Sequence, residues 1–157
     1  MNFFQTEQLS NEYKKEIFQI WNTEYPEKIT FQTLEKFEEY LSKLEKANHY
    51  IIQDKRNKII AWAVDFIRDN ENWFAIIVDQ KEQGEGLGKK LLLELQKHNI
   101  ELNGWVIDHD KDLKRNGEKY LSPLGFYLNH NFEILPDIRL ENEILSAVKI
   151  NWKEKKA

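Results

Sequence analysis

Hydrophobic positions follow helical spacing over the first forty-odd residues and strand spacing after them. Tyr13, Ile17, Ile20 and Trp21 share one helical stripe, and Ser10 is placed to cap it. Pro26 limits that helix, because the residue before a proline avoids helical backbone. Leu34, Phe37, Leu41 and Leu44 form a second stripe, with Thr30 as its expected cap. Residues 49–54 are a short apolar run closed by a turn at Arg56-Asn57-Lys58. Residues 59–68 then alternate, which predicts Ile60, Trp62, Val64 and Phe66 on one strand face. Residues 69–72 read as a turn and residues 73–79 as a strand. A helix carrying Leu87, Leu91, Leu92 and Leu95 comes next, then a predicted turn at Asn103-Gly104 and a strand over 105–108. Ser122 with Pro123 at the first helical position starts a short helix, which Asn131 ends in left-handed backbone. Residues 132–135 and 144–152 are the last strands, before a charged tail expected to be loose. Two helices, three strands, helix, strand, helix and two strands predict a mixed α/β fold.

Length and charge narrow the function classes. The 157 residues suffice for one domain, 1–157, with a real core. The absence of cysteine excludes disulfides and thiolate metal sites, and no metal is expected. No stretch approaches the roughly 18 apolar residues of a membrane span, so a cytoplasmic protein without a membrane partner is expected. Lys and Arg number 23 against 27 Asp and Glu, both signs interleaved, which argues against a nucleic-acid partner. The five tryptophans suit core filling.

The densest chemical signal is Gln83-Gly84-Glu85-Gly86-Leu87-Gly88-Lys89, between a predicted strand and a predicted helix. A glycine loop there bares backbone N–H groups at a helix N-terminus, a ready site for phosphate. A P-loop would need glycine at Gln83 and a hydroxyl residue at Lys90, and the dinucleotide pattern would need glycine at Lys89. Both fail. Gln83-x-x-Gly86-x-Gly88 instead resembles the acyl-CoA signature of the GCN5-related N-acetyltransferases, the GNAT superfamily. Residues 124–132 resemble the family's second signature, with Tyr127 and Phe132 matched and Asn131 in place of its glycine. Pro123 replaces the family's alanine, and Tyr120 stands where the family carries an asparagine that contacts the cofactor; Asn116 is an alternative for that contact. The resemblance covers roughly residues 10–152, leaves the family's first strand degenerate or missing, and finds the stretch 109–119 longer than usual.

The resemblance implies a mixed sheet flanked by helices, with one strand splayed from its neighbour to admit the cofactor. It implies acetyl-CoA as acyl donor and an amine-bearing acceptor, and it leaves a homodimer open. Cofactor contacts would come from backbone N–H groups at Ile77 and Val78 and from Gln83, Gly84, Glu85, Gly86, Leu87, Gly88 and Lys89. Tyr127 would be the general acid toward the departing thiolate. Candidate bases are Glu24, Asp65, Asp108, His109 and Asp110, with none preferred. Trp21, Tyr25, Trp62 and Trp105 are candidate walls of the acceptor pocket, and Arg68 a candidate for meeting an acidic substrate. Two readings compete with catalysis: a non-catalytic acyl-CoA-binding or regulatory module on the same fold, and an interaction protein whose glycine loop is only structural.

Overall fold

The computed structural model describes residues 1–155. Seven strands form one mixed sheet in the order β1-β2-β3-β4-β5-β7-β6. They are β1 (Asn2–Thr6), β2 (Glu45–Gln53), β3 (Ile59–Arg68), β4 (Glu71–Val78), β5 (Glu101–Val106), β6 (Glu133–Glu141) and β7 (Ser146–Lys153). Helices α1 (Asn11–Glu24) and α2 (Leu34–Ser42) cover one face. Helices α3 (Leu87–His98) and α4 (Leu124–Leu128) cover the other. Ile17, Trp21 and Phe37 pack against Trp62 and Val64 on the first face, and Leu91, Leu92 and Leu95 against Tyr50 and Ile52 on the second. Both faces being covered, the first eight residues of β3 are buried, whichever side they point to.

Local chemistry explains the ends of the elements. Ser10 caps α1 through its hydroxyl, which accepts from Tyr13 N–H at 3.2 Å. Thr33, not Thr30, caps α2 by accepting from Lys36 N–H at 3.2 Å. Thr30 closes a 3₁₀ turn instead, donating to the Glu27 carbonyl, and α2 ends before Leu44. Asp69 and Asn70 both have positive φ, 51° and 61°, the turn that joins two strands with the least splay. The expected turn is thus two residues long, and β4 begins at Glu71.

Other expectations are corrected. The first strand is present, Asn2–Thr6 pairing antiparallel with β2, which itself starts at Glu45. Ile60 leaves the face of Trp62 and Val64 because a bulge opposite Gln53 inserts one extra residue in β3. Asn103-Gly104 is no turn but mid-strand in β5. Gly104 is needed there for packing: a Cβ would lie 2.9 Å from the Phe74 ring. Pro123 precedes α4 rather than starting it, and Ser122 accepts from Leu124 N–H. The edge strand β6 extends to Glu141, its Pro136 lying in the register shift between Leu135 and Arg139. Glu154 N–H still bonds the Ile100 carbonyl at 2.9 Å, and residues 156–157 of the tail lie outside the described residues. Among the described residues no helix is long and apolar enough to cross a membrane.

Candidate functional site

Strands β4 and β5 are parallel but paired at one register position, Trp73 with Asn103. Both continue beyond it, to Val78 and Val106, so the sheet opens at their C-terminal ends. The β3–β4 ladder decides which amides face the opening. Its two-residue turn makes Arg68 and Glu71 a hydrogen-bonded pair, and at the far end Asp79 N–H donates to the Ile60 carbonyl at 2.9 Å. Hydrogen-bonded pairs alternate along an antiparallel ladder, so Trp62 and Ile77 form another. Ile77 N–H is therefore turned to β3, against the expectation for it. The amides of Ile76 and Val78 face the opening.

From β4 the chain passes through a 3₁₀ turn, Gln80–Glu82, to Gln83. Gly84 and Gly86 hold φ of 91° and 75°, and a Cβ on either would meet nothing within 4 Å. Backbone conformation, not crowding, demands glycine here, and the space beside the loop is open. Gly86 is the N-cap of α3, whose first internal bond is Lys90 N–H to the Gly86 carbonyl at 3.0 Å. The amides of Leu87, Gly88 and Lys89 are left without helical partners, at the positive end of the helix dipole. The Leu87 side chain is buried and anchors α3, while Gln83, Glu85 and Lys89 are exposed around the loop. A Cβ on Gly88 would lie 3.5 Å from the Phe126 ring and 3.8 Å from Val78. Helix α3, strand β4 and helix α4 thus meet at this glycine.

Asn131 takes φ of 69°, which lets Phe132 N–H reach back to the Tyr127 carbonyl at 3.2 Å. Tyr127 is 7% exposed and packs edge-on to Phe74, Phe126 and Phe132. Burial, then the neighbouring Tyr120, raises its hydroxyl pKa well above the ordinary tyrosine value, so the phenol stays protonated at any working pH. Tyr25, from the α1–α2 connection, has its ring 6.3 Å from that of Tyr120. Burial chiefly raises Tyr25 too, with smaller contributions from Tyr120 and Tyr127. Three phenols, Tyr25, Tyr120 and Tyr127, therefore lie close together. Tyr120 enters this group from the position of the family's asparagine, whereas Asn116 sits on a hairpin tip with its side chain accepting from Glu118 N–H.

The sequence profile of the Acetyltransferase (GNAT) domain matches residues 45–134, more than half of the chain. The chain belongs to the GNAT family. No curated protein matches it in sequence. Among solved structures, an aminoglycoside 6'-N-acetyltransferase complexed with coenzyme A superposes with a TM-score of 0.72 at 12% identity, covering 98% of this chain and 97% of that one. A phosphinothricin acetyltransferase from Sinorhizobium meliloti in complex with AcCoA gives 0.68 at 14% identity, covering 98% and 89%. A ribosomal-protein-alanine N-acetyltransferase from Brucella melitensis gives 0.68 at 13%, covering 96% and 99%. These likenesses establish the GNAT fold over nearly the whole chain.

The candidate bases of this GNAT chain are all engaged. Asp65 accepts from Tyr50 at 2.6 Å, Asn99 at 2.9 Å and Asn48 at 3.1 Å. It lies at the C-terminal end of α3, about 18 Å along the helix from the glycine loop. Asp108 holds Arg139 through two bonds of 2.8 and 3.0 Å, and the guanidinium keeps its carboxyl below the ordinary range. Asp110 accepts from Ser122 N–H, and His109 Nδ1 from Lys111 N–H. Glu24 closes α1 with both oxygens used, one by Gln80 N–H at 2.8 Å and one by Lys114 Nζ at 3.2 Å. Of the expected pocket walls, Trp21 and Trp62 are core residues, and Trp105 is half-buried against Trp73. Arg68 lies over the Phe66 and Trp73 rings. Among the described residues no cluster of three His, Cys, Asp or Glu is placed to hold a metal ion.

Proposed function

We propose that the protein is an N-acetyltransferase that uses acetyl-CoA as donor and an amine as acceptor. The observation that carries the reading is the opening between β4 and β5, with the amides of Ile76 and Val78 turned toward it and the glycine-capped N-terminus of α3 beside it. The site suits this donor. Pyrophosphate needs several amide donors and positive dipole, which residues 83–89 supply, and the bare space at Gly84 and Gly86 lets a ligand approach the backbone. Relatives of this fold are solved with coenzyme A or AcCoA, and their names span small-molecule and protein acceptors.

Acetyl-CoA supplies an activated acetyl carbon, to which the acceptor nitrogen bonds as the carbon–sulfur bond breaks and the sulfur takes a proton. The amides of Val78 and Ile76 provide fixed donors along the opening, where a donor aimed at developing negative charge contributes on the order of 3 kcal/mol. Tyr127, protonated at working pH, passes a proton to the sulfur as the thiolate departs and regains one from the water that carries the acceptor's proton away. With Glu24, Asp65, Asp108, Asp110 and His109 all engaged, the acceptor's proton leaves through water.

Release of free thiol from acetyl-CoA tests the reading, measured with aminoglycoside, phosphinothricin and N-terminal peptide amines as acceptors. Acceptor-dependent release supports it. Tight binding of acetyl-CoA with no release over the whole panel favours a non-catalytic acyl-CoA-binding module.

A further inference from the structure

The stretch 109–119 is a strap, and its one buried charge reaches the turn that leads into the glycine loop. Residues 112–120 form a hairpin, with Leu113 bridged to Lys119, Tyr120 N–H on the Asp112 carbonyl and Gly117 at φ of 85° in the turn. The hairpin is laid along the α1–α2 connection. Lys114 bridges to Pro26, Glu27 N–H donates to the Leu113 carbonyl at 2.8 Å, and Arg115 donates to Thr30 Oγ1 and the Phe31 carbonyl. This turns Lys114 inward, to 8% exposure. Its Nζ donates to Glu24 Oε1 and to Gln80 Oε1, both at 3.2 Å, while Glu24 Oε2 accepts from Gln80 N–H at 2.8 Å. Gln80 thus has side chain and backbone gripped at once, three residues before Gln83 begins the glycine loop.

We infer that Lys114 and Glu24 are positioning residues for the cofactor: they fix the Gln80 turn, and through it the direction in which the glycine loop presents its amides. The inference rests on the acetyl-CoA reading of the site. A buried ion pair adds little net stability over a matched apolar pair, so the gain from this one lies in where it holds Gln80. Removing one partner alone leaves a buried unpaired charge and destabilises the fold, which would blur any effect on binding. The informative variant therefore removes both charges, Lys114→Met with Glu24→Gln, which keeps an acceptor for Gln80 N–H but releases its side chain.

The experiment is calorimetric titration of coenzyme A into wild type, the double variant and Lys114→Arg, with urea unfolding of each. The expected result is a double variant whose urea midpoint stays close to that of wild type but which binds coenzyme A at least tenfold more weakly. Lys114→Arg, which keeps the charge, should recover most of the affinity. A double variant that is stable and binds within twofold of wild type overturns the positioning role and leaves the acetyltransferase reading standing. A wild type that binds no coenzyme A overturns both.

Discussion

Gly84 and Gly86 sit at positive φ with open space around them, so their substitution strains the backbone without any steric collision. Gly86→Ala should cost about 1 kcal/mol in urea unfolding, the penalty of left-handed backbone for a residue with a Cβ. Coenzyme A binding should weaken along with it, since α3 begins at this residue. Tyr127 carries the opposite signature. Its ring is packed on three sides and its hydroxyl is kept protonated by burial, so Tyr127→Phe keeps the ring packing and removes the hydroxyl. Steady-state assay should show kcat lower by at least tenfold, within the usual range for a lost general acid, with coenzyme A affinity within twofold. A variant turning over at the wild-type rate would leave Tyr127 as packing alone.

The element that organises the site is β4, whose alternate amides serve different purposes. Ile77 N–H belongs to the ladder with β3, and Val78 N–H faces the opening. Proline separates the two roles, because it removes a donor where it stands. Ile77→Pro should fail to fold or melt far below wild type. Val78→Pro should fold, by circular dichroism, yet lose acetyl transfer on the order of a hundredfold, as loss of one fixed donor does elsewhere. Such parity is not written in an apolar run like Phe74-Ala75-Ile76-Ile77-Val78; it depends on the Asp69-Asn70 turn being two residues long. The same limit explains the other misread elements. Leu87, Leu91, Leu92 and Leu95 reveal α3 because one face is buried and the other wet, and Asn131 reveals the end of α4 through its tolerance of positive φ. Asn103-Gly104 misleads because its glycine answers a ring from the next strand, and Ile60 because its bulge is set by β2. Gly104→Ala accordingly should cost 1–3 kcal/mol in unfolding, an overpacked contact with Phe74 rather than a lost turn. Glu24, Gln80 and Lys114 are 56 and 34 residues apart, and no local pattern joins them.

Across the whole molecule, one sheet with helices on both faces buries polar groups that must then be satisfied within it. His49 is an example with a measurable consequence. It is 5% exposed, and its Nδ1 accepts from Trp62 Nε1 at 3.1 Å, so the ring is neutral. Burial lowers its pKa to about 4, against the opposing pull of Asp65. The unfolded chain takes up that proton near pH 6.5. Stability from this group is therefore complete above pH 6.5, declines as pH falls, and is lost by about pH 4, a change of roughly 3 kcal/mol. His49→Asn, which keeps an acceptor for Trp62, should flatten the urea-unfolding profile between those limits. An unchanged slope would assign the acid sensitivity to other groups.

Every functional proposal for this chain depends on the opening between β4 and β5, under the glycine loop, taking coenzyme A. The most direct test is the melting temperature with and without coenzyme A, acetyl-CoA and ATP. Ligand at about a hundred times its dissociation constant adds roughly 2.7 kcal/mol, several degrees for a domain of this size. The account predicts that shift with coenzyme A and acetyl-CoA, its absence with ATP, and its loss in Gly86→Glu. No shift with either thioester or thiol, or an equal shift with ATP, would contradict it.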